Sequence, residues 1–148
     1  MWMATVVALL LGLMVLFADL APPVVVRFDR DRALARNFTS YRNAVIRYVE
    51  EHPEMGGSVA PDHLSLPPGW QPLSALHNEI REGQVAIWAF LPAAAQVSVE
   101  REVAGSESIG VAEIQDGAEW GYSELDGTRF PVPAGVPLGA MVSVVNVK

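Results

Sequence analysis

An apolar run near the amino terminus is long enough to cross a lipid bilayer. Between Met3 and Leu20 the sole charged residue is Asp19, at the far edge of the run. About 20 helical residues span the roughly 30 Å hydrocarbon layer, whereas a helix that packs on a soluble core needs a polar face. The pattern predicts a transmembrane anchor over residues 1–21, and the two prolines that follow are expected to end its helix.

A cleaved signal peptide is the competing interpretation of this run. Such a peptide has a basic segment before the apolar run, and small residues one and three positions before the cleavage site. Here no Lys or Arg precedes the run, and a cut after Ala21 would place Asp19 at the outer of those two positions. The pattern therefore favours a retained anchor.

Charge is divided unevenly along the chain. Residues 27–47 contain six arginines and two aspartates, whereas residues 48–148 contain four basic and fourteen acidic residues. The whole chain has a formal net charge of −7, which excludes nucleic-acid binding because neutralising phosphates requires a positive charge.

Arginines directly after the anchor favour a cytoplasmic domain by the positive-inside rule. They are suited to contact with anionic lipid headgroups or simply with water.

Residues Arg32 to His52 carry the clearest helical periodicity in the chain. Apolar and aromatic residues recur three and four positions apart, which predicts an amphipathic helix that ends at Pro53. Its length favours packing on a sheet over a coiled coil with a partner, which needs more heptads. The predicted buried face consists of Leu34, Phe38, Tyr41, Val45 and Tyr48.

The opposite face of this helix is polar. Arg36, Asn43 and Arg47 lie on it, together with Glu50. Such residues commonly form a solvated face, but arginine and asparagine also provide hydrogen-bond donors to a binding partner. Arg36, Asn43 and Arg47 are therefore the candidate contacts with a partner protein or with lipid.

After the helix, prolines and glycines precede a region of alternating hydrophobicity. Residues 53–72 predict a connecting segment that is pinned by Val59, Leu64, Leu66 and Trp70, and residues 73–83 predict a short helix that Gly83 terminates. Alternation then predicts five or six short strands. Their ranges are 84–91, 95–102, 108–115, 118–125, 128–132 and 140–147.

The turns and prolines of this region indicate an antiparallel sheet. Asp116-Gly117 and Asp126-Gly127 are typical of hairpin turns, and the prolines at 131, 133 and 137 place the fifth segment at an edge or in a connection. In the third strand, Ile109, Val111 and Ile114 are expected to point inward. The predicted fold is α+β, with a stem over 22–32 and a domain over 33–148 in which the amphipathic helix covers one face of the sheet.

No pattern of catalytic or metal-binding residues emerges from the sequence. The chain has no cysteine, and its three histidines are not spaced as metal ligands on a helix. Its carboxylates are numerous, but their spacing does not indicate a catalytic pair. The sequence contains no motif for a catalytic nucleophile or for a phosphate-binding loop. The N-glycosylation sequon at Asn37 lies inside the predicted helix, where its occurrence by chance is a simpler explanation than glycosylation. We therefore expect no enzyme activity, no cofactor and no metal.

Several short segments together resemble a known family, the small PilM proteins of conjugative-plasmid thin (type IVb) pili. This family is distinct from the actin-like protein that shares its name. The resemblance covers nearly the whole chain. It rests on the run from Tyr41 through Val45 and Tyr48 to His52-Pro53, on Leu66-Pro67 with Trp70, on Gly83 followed by an aromatic strand, on Ile109-Gly110-Val111, and on the closing run from Pro131 to Ala140.

The resemblance implies a single-pass inner-membrane protein of the pilus basal body or pilin transport machinery. Its partners would be other pilus assembly proteins, with no catalytic or ligand residues to carry over and with the oligomeric state left open. The implied domain is periplasmic, which is opposite to the orientation that the positive-inside rule favours.

Two other functions are compatible with the sequence to a smaller extent. The order of helix and then sheet is similar to that of a minor pilin or pseudopilin. A prepilin-peptidase substrate, however, has a basic leader, a small residue before the cut and a glutamate five positions into the apolar run, and residues 1–21 show no such pattern. A periplasmic enzyme acting on the cell wall would need converging carboxylates, which no spacing predicts.

Overall fold

The computed structural model describes residues 24–103 and 108–147, with side chains from Asp29 onward. The predicted anchor over residues 1–21 lies outside the described residues. Among the described residues, no helix is both long and apolar enough to span a membrane. The α+β fold belongs to the carboxyl-terminal of two compact units, Asp31–Lys148.

Residues 24–103 and 108–147 form two helices and six strands. The helices are α1 (Val24–Glu51) and α2 (Ala93–Val103), and a 3-10 turn at Pro61–His63 lies in the connector, residues 52–75. The strands are β1 (Leu76–Arg81), β2 (Gln84–Ala89), β3 (Ser108–Gln115), β4 (Ala118–Tyr122), β5 (Arg129–Pro131) and β6 (Met141–Asn146).

The strands form one antiparallel sheet in the order β1-β2-β6-β3-β4-β5. The last strand of the chain is therefore inserted between β2 and β3, where Ala86 pairs with Val144 and Val111 pairs with Met141. This arrangement confirms the predicted α+β fold with an antiparallel sheet of five or six short strands.

The larger core lies between α1 and one face of the sheet. Phe38, Tyr41 and Val45 of α1 are buried there against strand residues such as Ile87 and Met141. The predicted apolar stripe of the helix is therefore confirmed as its core-facing side. Burying it removes the large aromatic side chains from water, which contributes most of the stabilisation of such a helix.

A smaller core lies on the other face of the sheet. Met141 of β6 belongs to the larger core while its neighbour Val142 belongs to the smaller one, because successive strand residues point to opposite faces. Val132 and Val136, in the connection from β5 to β6, are buried in this second core. The helix therefore covers one face, and an irregular, proline-containing segment contributes to the cover of the other.

The predicted helix over residues 73–83 is wrong, because this segment forms β1 and the turn that follows it. Leu76 and Ile80 are four positions apart, a spacing that places residues on one side of a strand as well as of a helix. Glu82 and Gly83 both have positive φ, at 50° and 78°, so Gly83 belongs to a tight hairpin turn and does not end a helix.

The predicted strand over residues 95–102 is also wrong, because this segment lies in α2. Ala95, Val99 and Val103 are buried at a spacing of four, and this helical stripe was hidden by the alternation of Val97 and Val99. Pro92 precedes the helix, and its carbonyl accepts hydrogen bonds from the N–H groups of residues 95 and 96. Proline is well placed at such a boundary because it has no N–H to leave unpaired.

The prediction that Ile114 points inward is wrong as well. Ile109 is buried and Val111 is partly buried, but Ile114 is 58% exposed. The three residues could not share a face, since 109 and 111 have the opposite strand parity to 114.

Both edges of the sheet are protected against further strand pairing. Gly57 of the connector exchanges two backbone hydrogen bonds with Ile80 on the outer side of β1. At the other edge, β5 is three residues long and ends at Pro131, which confirms the predicted edge position. Short, proline-containing or covered edges limit uncontrolled association.

Asn78 links the connector, β1 and α1 inside the larger core. Its Nδ2 donates to the Tyr41 hydroxyl at 2.6 Å and to the Val59 carbonyl at 2.8 Å, and its Oδ1 accepts from the Val59 N–H at 2.7 Å. The connector is thereby fixed against the helix by a fully hydrogen-bonded buried amide.

Tyr41 is expected to make the folded domain less stable at alkaline pH. Burial raises the pKa of its phenol above the ordinary 10.0, and the hydrogen bond from Asn78 lowers it by a smaller amount. Because the folded state prefers the protonated phenol, this stabilisation is complete below pH 10.0 and is lost as the pH rises through the folded-state pKa. Tyrosinate absorbance should show a late-titrating component that Tyr41→Phe removes and Tyr122→Phe retains. The same late component in Tyr41→Phe would contradict this assignment.

Candidate docking groove

The three predicted contact residues lie on one exposed stripe of α1. Arg36, Asn43 and Arg47 are all exposed, and Ser40 lies between the first two. Residues seven and eleven positions after Arg36 fall on the same side of a helix. At about 1.5 Å per residue, the two arginines are about 16 Å apart along the helix axis. The structure therefore brings the predicted residues together on the side of α1 away from the apolar stripe.

This stripe forms one wall of a groove whose other wall is the connector. Three adjoining depressions, of about 320, 310 and 100 Å³, follow each other along the helix. Ser40 and Pro67 line both of the first two, and Arg47 and Ser65 line both of the last two. We call this continuous surface the helix–connector groove. On α1 it runs from Ala33 to Glu51, or about 27 Å.

Apolar contacts hold the connector in place as a wall. Leu64 is buried, and Leu66 and Trp70 pack against the larger core, as predicted. The rings of Trp70 and Tyr41 stack with centroids 6.1 Å apart. Because these side chains point into the core, the backbone of residues 65–70 remains at the surface beside the helix.

Asn37 fixes the far end of the same wall. Its side chain is only 8% exposed; Nδ2 donates to the Gln71 carbonyl at 2.8 Å and Oδ1 accepts from the Leu73 N–H at 3.0 Å. Both halves of the amide are therefore occupied. The sequon at Asn37 thus serves packing in this fold, because glycosylation requires an accessible side-chain nitrogen.

Replacing Asn37 by alanine is expected to loosen this wall without unfolding the domain. The Leu73 N–H and the Gln71 carbonyl would each lose a partner, at a cost of about 1–3 kcal/mol. Hydrogen exchange of the Leu73 amide should become faster than in the parent chain. Asn43→Ala is the control, since the Asn43 side chain is hydrogen-bonded to Arg42 of the same helix and not to Gln71 or Leu73. Unchanged exchange at Leu73 in the Asn37 variant would contradict the assignment.

The two wider depressions are cationic. Among the described residues that line them, Arg36 and Arg47 are the charged ones, and no carboxylate is present. Within residues 24–103 and 108–147 neither guanidinium forms an ion pair or a hydrogen bond with another side chain. The smallest depression also contains Glu51, His52 and His63. The groove therefore presents two available cations on an otherwise acidic chain.

Arg42, which sequence reasoning did not single out, is buried beside this surface. It is 5% exposed, and its Nε donates to Ser143 Oγ of β6 at 2.8 Å. Another of its N–H groups donates to Asn43 Oδ1 at 2.9 Å, which orients the amide of Asn43. Burial lowers the pKa of Arg42 to about 10, so it remains cationic at neutral pH.

The histidines take part in aromatic stacking. His52 stacks on Tyr48 with ring centroids 4.3 Å apart, and His63 lies near the same ring at 6.5 Å. On the other face of the sheet, His77 stacks on Trp88 at 5.6 Å. In the part of the chain that the structure describes, no three acidic or histidine side chains are grouped to hold a metal ion.

Sequence reasoning missed the wall formed by Ser65, Pro67 and Trp70. The segment was predicted to be a pinned connection, but its position beside Arg36 and Arg47 depends on contacts between distant residues. One available signal was the small residue at position 40, which leaves space on the exposed side of the helix next to the two arginines.

Comparison with known proteins identifies the family. No curated protein sequence matches the chain significantly. The chain is similar to the crystal structure of a protein described as PilM from Escherichia coli B7A, with a TM-score of 0.56 and 21% identity over 80% of this chain and 94% of that one. A protein described as PilM from Pseudomonas aeruginosa 2192 has a TM-score of 0.42 and 27% identity, over 79% and 97% of the two chains.

The first of these similarities supports the observed fold. The family assignment comes from the PilM family model, which matches residues 6–144. This match extends from within the predicted anchor to the last strand, and it associates the chain with a pilus system. The chain belongs to the PilM family.

Proposed function

We propose that this chain is a non-catalytic inner-membrane component of a type IVb, or conjugative thin, pilus biogenesis apparatus. Its anchor over residues 1–21 would hold the α+β domain on the periplasmic side, and the domain would act as a scaffold by docking other pilus proteins. The observation that carries this proposal is the family match over residues 6–144, which includes most of the apolar run together with the folded domain.

Two features of the chain support a docking role. A run of apolar residues with a single charge at its edge has the length of a membrane span. The folded domain presents the helix–connector groove, in which Arg36 and Arg47 are exposed and available to a partner. Arginine is favoured at protein interfaces because its guanidinium offers several donors in a rigid plane.

Deletion and complementation test the role in pilus assembly. Cells of the native host that lack the protein should produce few or no pili, and the full chain should restore them. If the deletion strain makes a normal number of pili, the proposed function is wrong.

The absence of cysteine allows a direct test of topology. A single cysteine added after Lys148 is the one thiol in the chain, so a membrane-impermeant maleimide reports only on that position. Labelling of intact cells at a mass that includes residues 1–21 is the expected result. An unlabelled protein would place the domain in the cytoplasm, as the arginines after the anchor favour, and a mass lacking residues 1–21 would exclude the anchor.

A minor pilin is the second candidate function. The observation that favours it is the 28-residue helix α1, which leads into an antiparallel sheet along the chain. A pilin would be processed within its first residues and would appear in the sheared fibre fraction. A scaffold would remain in the membrane fraction with its amino terminus intact.

A further inference from the structure

We propose that the helix–connector groove binds an extended, acidic segment of another protein of the pilus apparatus. The inference rests on the proposed function, which it deepens by naming the chemistry of the partner. It is carried by the charge of the groove, by the spacing of its two arginines and by the small residues between them.

Charge complementarity points to carboxylates. Arg36 and Arg47 are the charged residues of the two wider depressions, and no acidic side chain of the described residues lies among their lining. Over residues 48–148, by contrast, acidic residues outnumber basic ones by fourteen to four. Glu51 lines the narrow third depression together with Arg47, but within the described residues neither Arg36 nor Arg47 forms an ion pair. Two exposed guanidinium groups without an ion-pair partner on such a chain are suited to pairing with a carboxylate in trans, because a guanidinium can donate two parallel hydrogen bonds to it.

The geometry favours an extended segment. The two arginines are about 16 Å apart along α1, which is the length of about five residues of extended chain. Between them the groove is lined by Ser40, Asn43 and Ala44, and the opposite wall is formed by Ser65 and Pro67. These short side chains leave room for a backbone, and Pro67 offers no N–H that would need a partner.

A second copy of this chain is the less suitable occupant. Many of its exposed carboxylates, such as Glu82, Asp116 and Asp126, lie in or beside tight hairpin turns within the described residues. Such turns are too compact to place two carboxylates five residues apart along a groove. Anionic lipid headgroups are the remaining alternative, and crosslinking from the two walls distinguishes them from a protein segment.

Photo-crosslinking of the full-length protein in piliated cells tests this inference. The photoreactive residue p-benzoylphenylalanine would be placed at Ser40 on the helix wall, and in a second strain at Ser65 on the connector wall. Glu119, which is exposed on β4, is the control position. The expected result is that both walls crosslink to one segment of a different pilus protein, that this segment carries at least two carboxylates, and that Glu119 does not reach it.

Charge variants separate ion pairing from simple proximity. Arg36→Glu with Arg47→Glu should reduce the crosslink from Ser65 by about tenfold or more, because two exposed ion pairs each contribute up to about 1 kcal/mol. Arg81→Glu with Arg101→Glu, which reverses two exposed charges outside the groove, should leave it unchanged.

The inference is overturned by a crosslink to a segment without carboxylates, to another copy of the chain or to lipid. It is also overturned if neither wall crosslinks to protein in cells whose pili still depend on this chain. That last result would leave the proposed function standing, whereas normal piliation after deletion would remove the proposed function itself.

Discussion

Replacing Phe38 by aspartate is expected to unfold the α+β domain. Phe38 is 0% exposed and lies in the larger core between α1 and the sheet. Loss of a buried phenylalanine costs about 3–5 kcal/mol, and an unpaired carboxylate in its place adds a desolvation cost of at least similar size. Together these costs approach or exceed the whole stability of an ordinary domain, which is about 5–15 kcal/mol.

Protease resistance of the full chain in detergent measures this effect. The Phe38→Asp domain should be degraded under conditions in which the parent domain survives. Asn43→Asp is the matched control, because it introduces the same charge on the exposed side of the same helix and should remain resistant. A Phe38→Asp domain as resistant as the parent would place the apolar stripe outside the core.

Gly110→Ala is expected to disrupt the pairing of β3 with its neighbours. A Cβ at this position would lie 2.3 Å from the carbonyl oxygen of Tyr122 and 2.4 Å from its carbonyl carbon. These atoms belong to backbone that Val111 holds in register with β4, so the clash cannot be relieved by turning a side chain. Overpacking of this kind commonly costs about 1–3 kcal/mol, and the rigid backbone neighbour places this variant at the upper end of that range.

Thermal unfolding of Gly110→Ala measures this cost against a control glycine. At Gly56 the nearest atom to an added Cβ is the Ile80 oxygen at 4.0 Å, an ordinary contact distance. Gly56→Ala should therefore change stability by less than about 1 kcal/mol. Equal melting temperatures for Gly110→Ala and the parent chain would show that β3 and β4 do not approach each other as closely as described.

The parts of the fold that could be predicted from sequence are those with long, unambiguous periodicity. Helix α1 has five apolar positions in succession at helical spacing, and no strand assignment fits them. In shorter segments the two periods overlap: Leu76 and Ile80 fit both a helix and a strand, and Val97 and Val99 alternate although α2 buries Val99 with Ala95. Tertiary packing decides whether such a segment forms a helix or a strand, and this packing cannot be read from the local sequence.

The candidate site was predictable on one wall only. Arg36 and Arg47 could be placed on a polar helix face because their spacing relative to the apolar stripe determines it. The connector wall depends on contacts between distant positions, such as the amide of Asn37 with the backbone of Leu73, 36 residues away.

The direction of the Arg42 side chain also depends on a contact with a distant residue and could not be predicted from the local sequence. It lies next to Asn43 in sequence, yet its side chain is buried and reaches Ser143, 101 residues further along the chain. A long polar side chain at the border of an apolar face can point either way, since its aliphatic part is easily buried. Its hydrogen-bond partner on the central strand β6 determines the direction here.

Pilus formation in cells that carry groove variants tests whether this PilM-family chain supports pilus assembly through the helix–connector groove. A deletion strain would be complemented with the parent chain, with Arg36→Glu plus Arg47→Glu, or with Arg81→Glu plus Arg101→Glu, each at equal protein level and equal protease resistance. We expect the groove variant to form about tenfold fewer pili, in line with loss of two ion pairs, and the control variant to match the parent. A parental number of pili in the groove variant would show that Arg36 and Arg47 are not needed for pilus assembly.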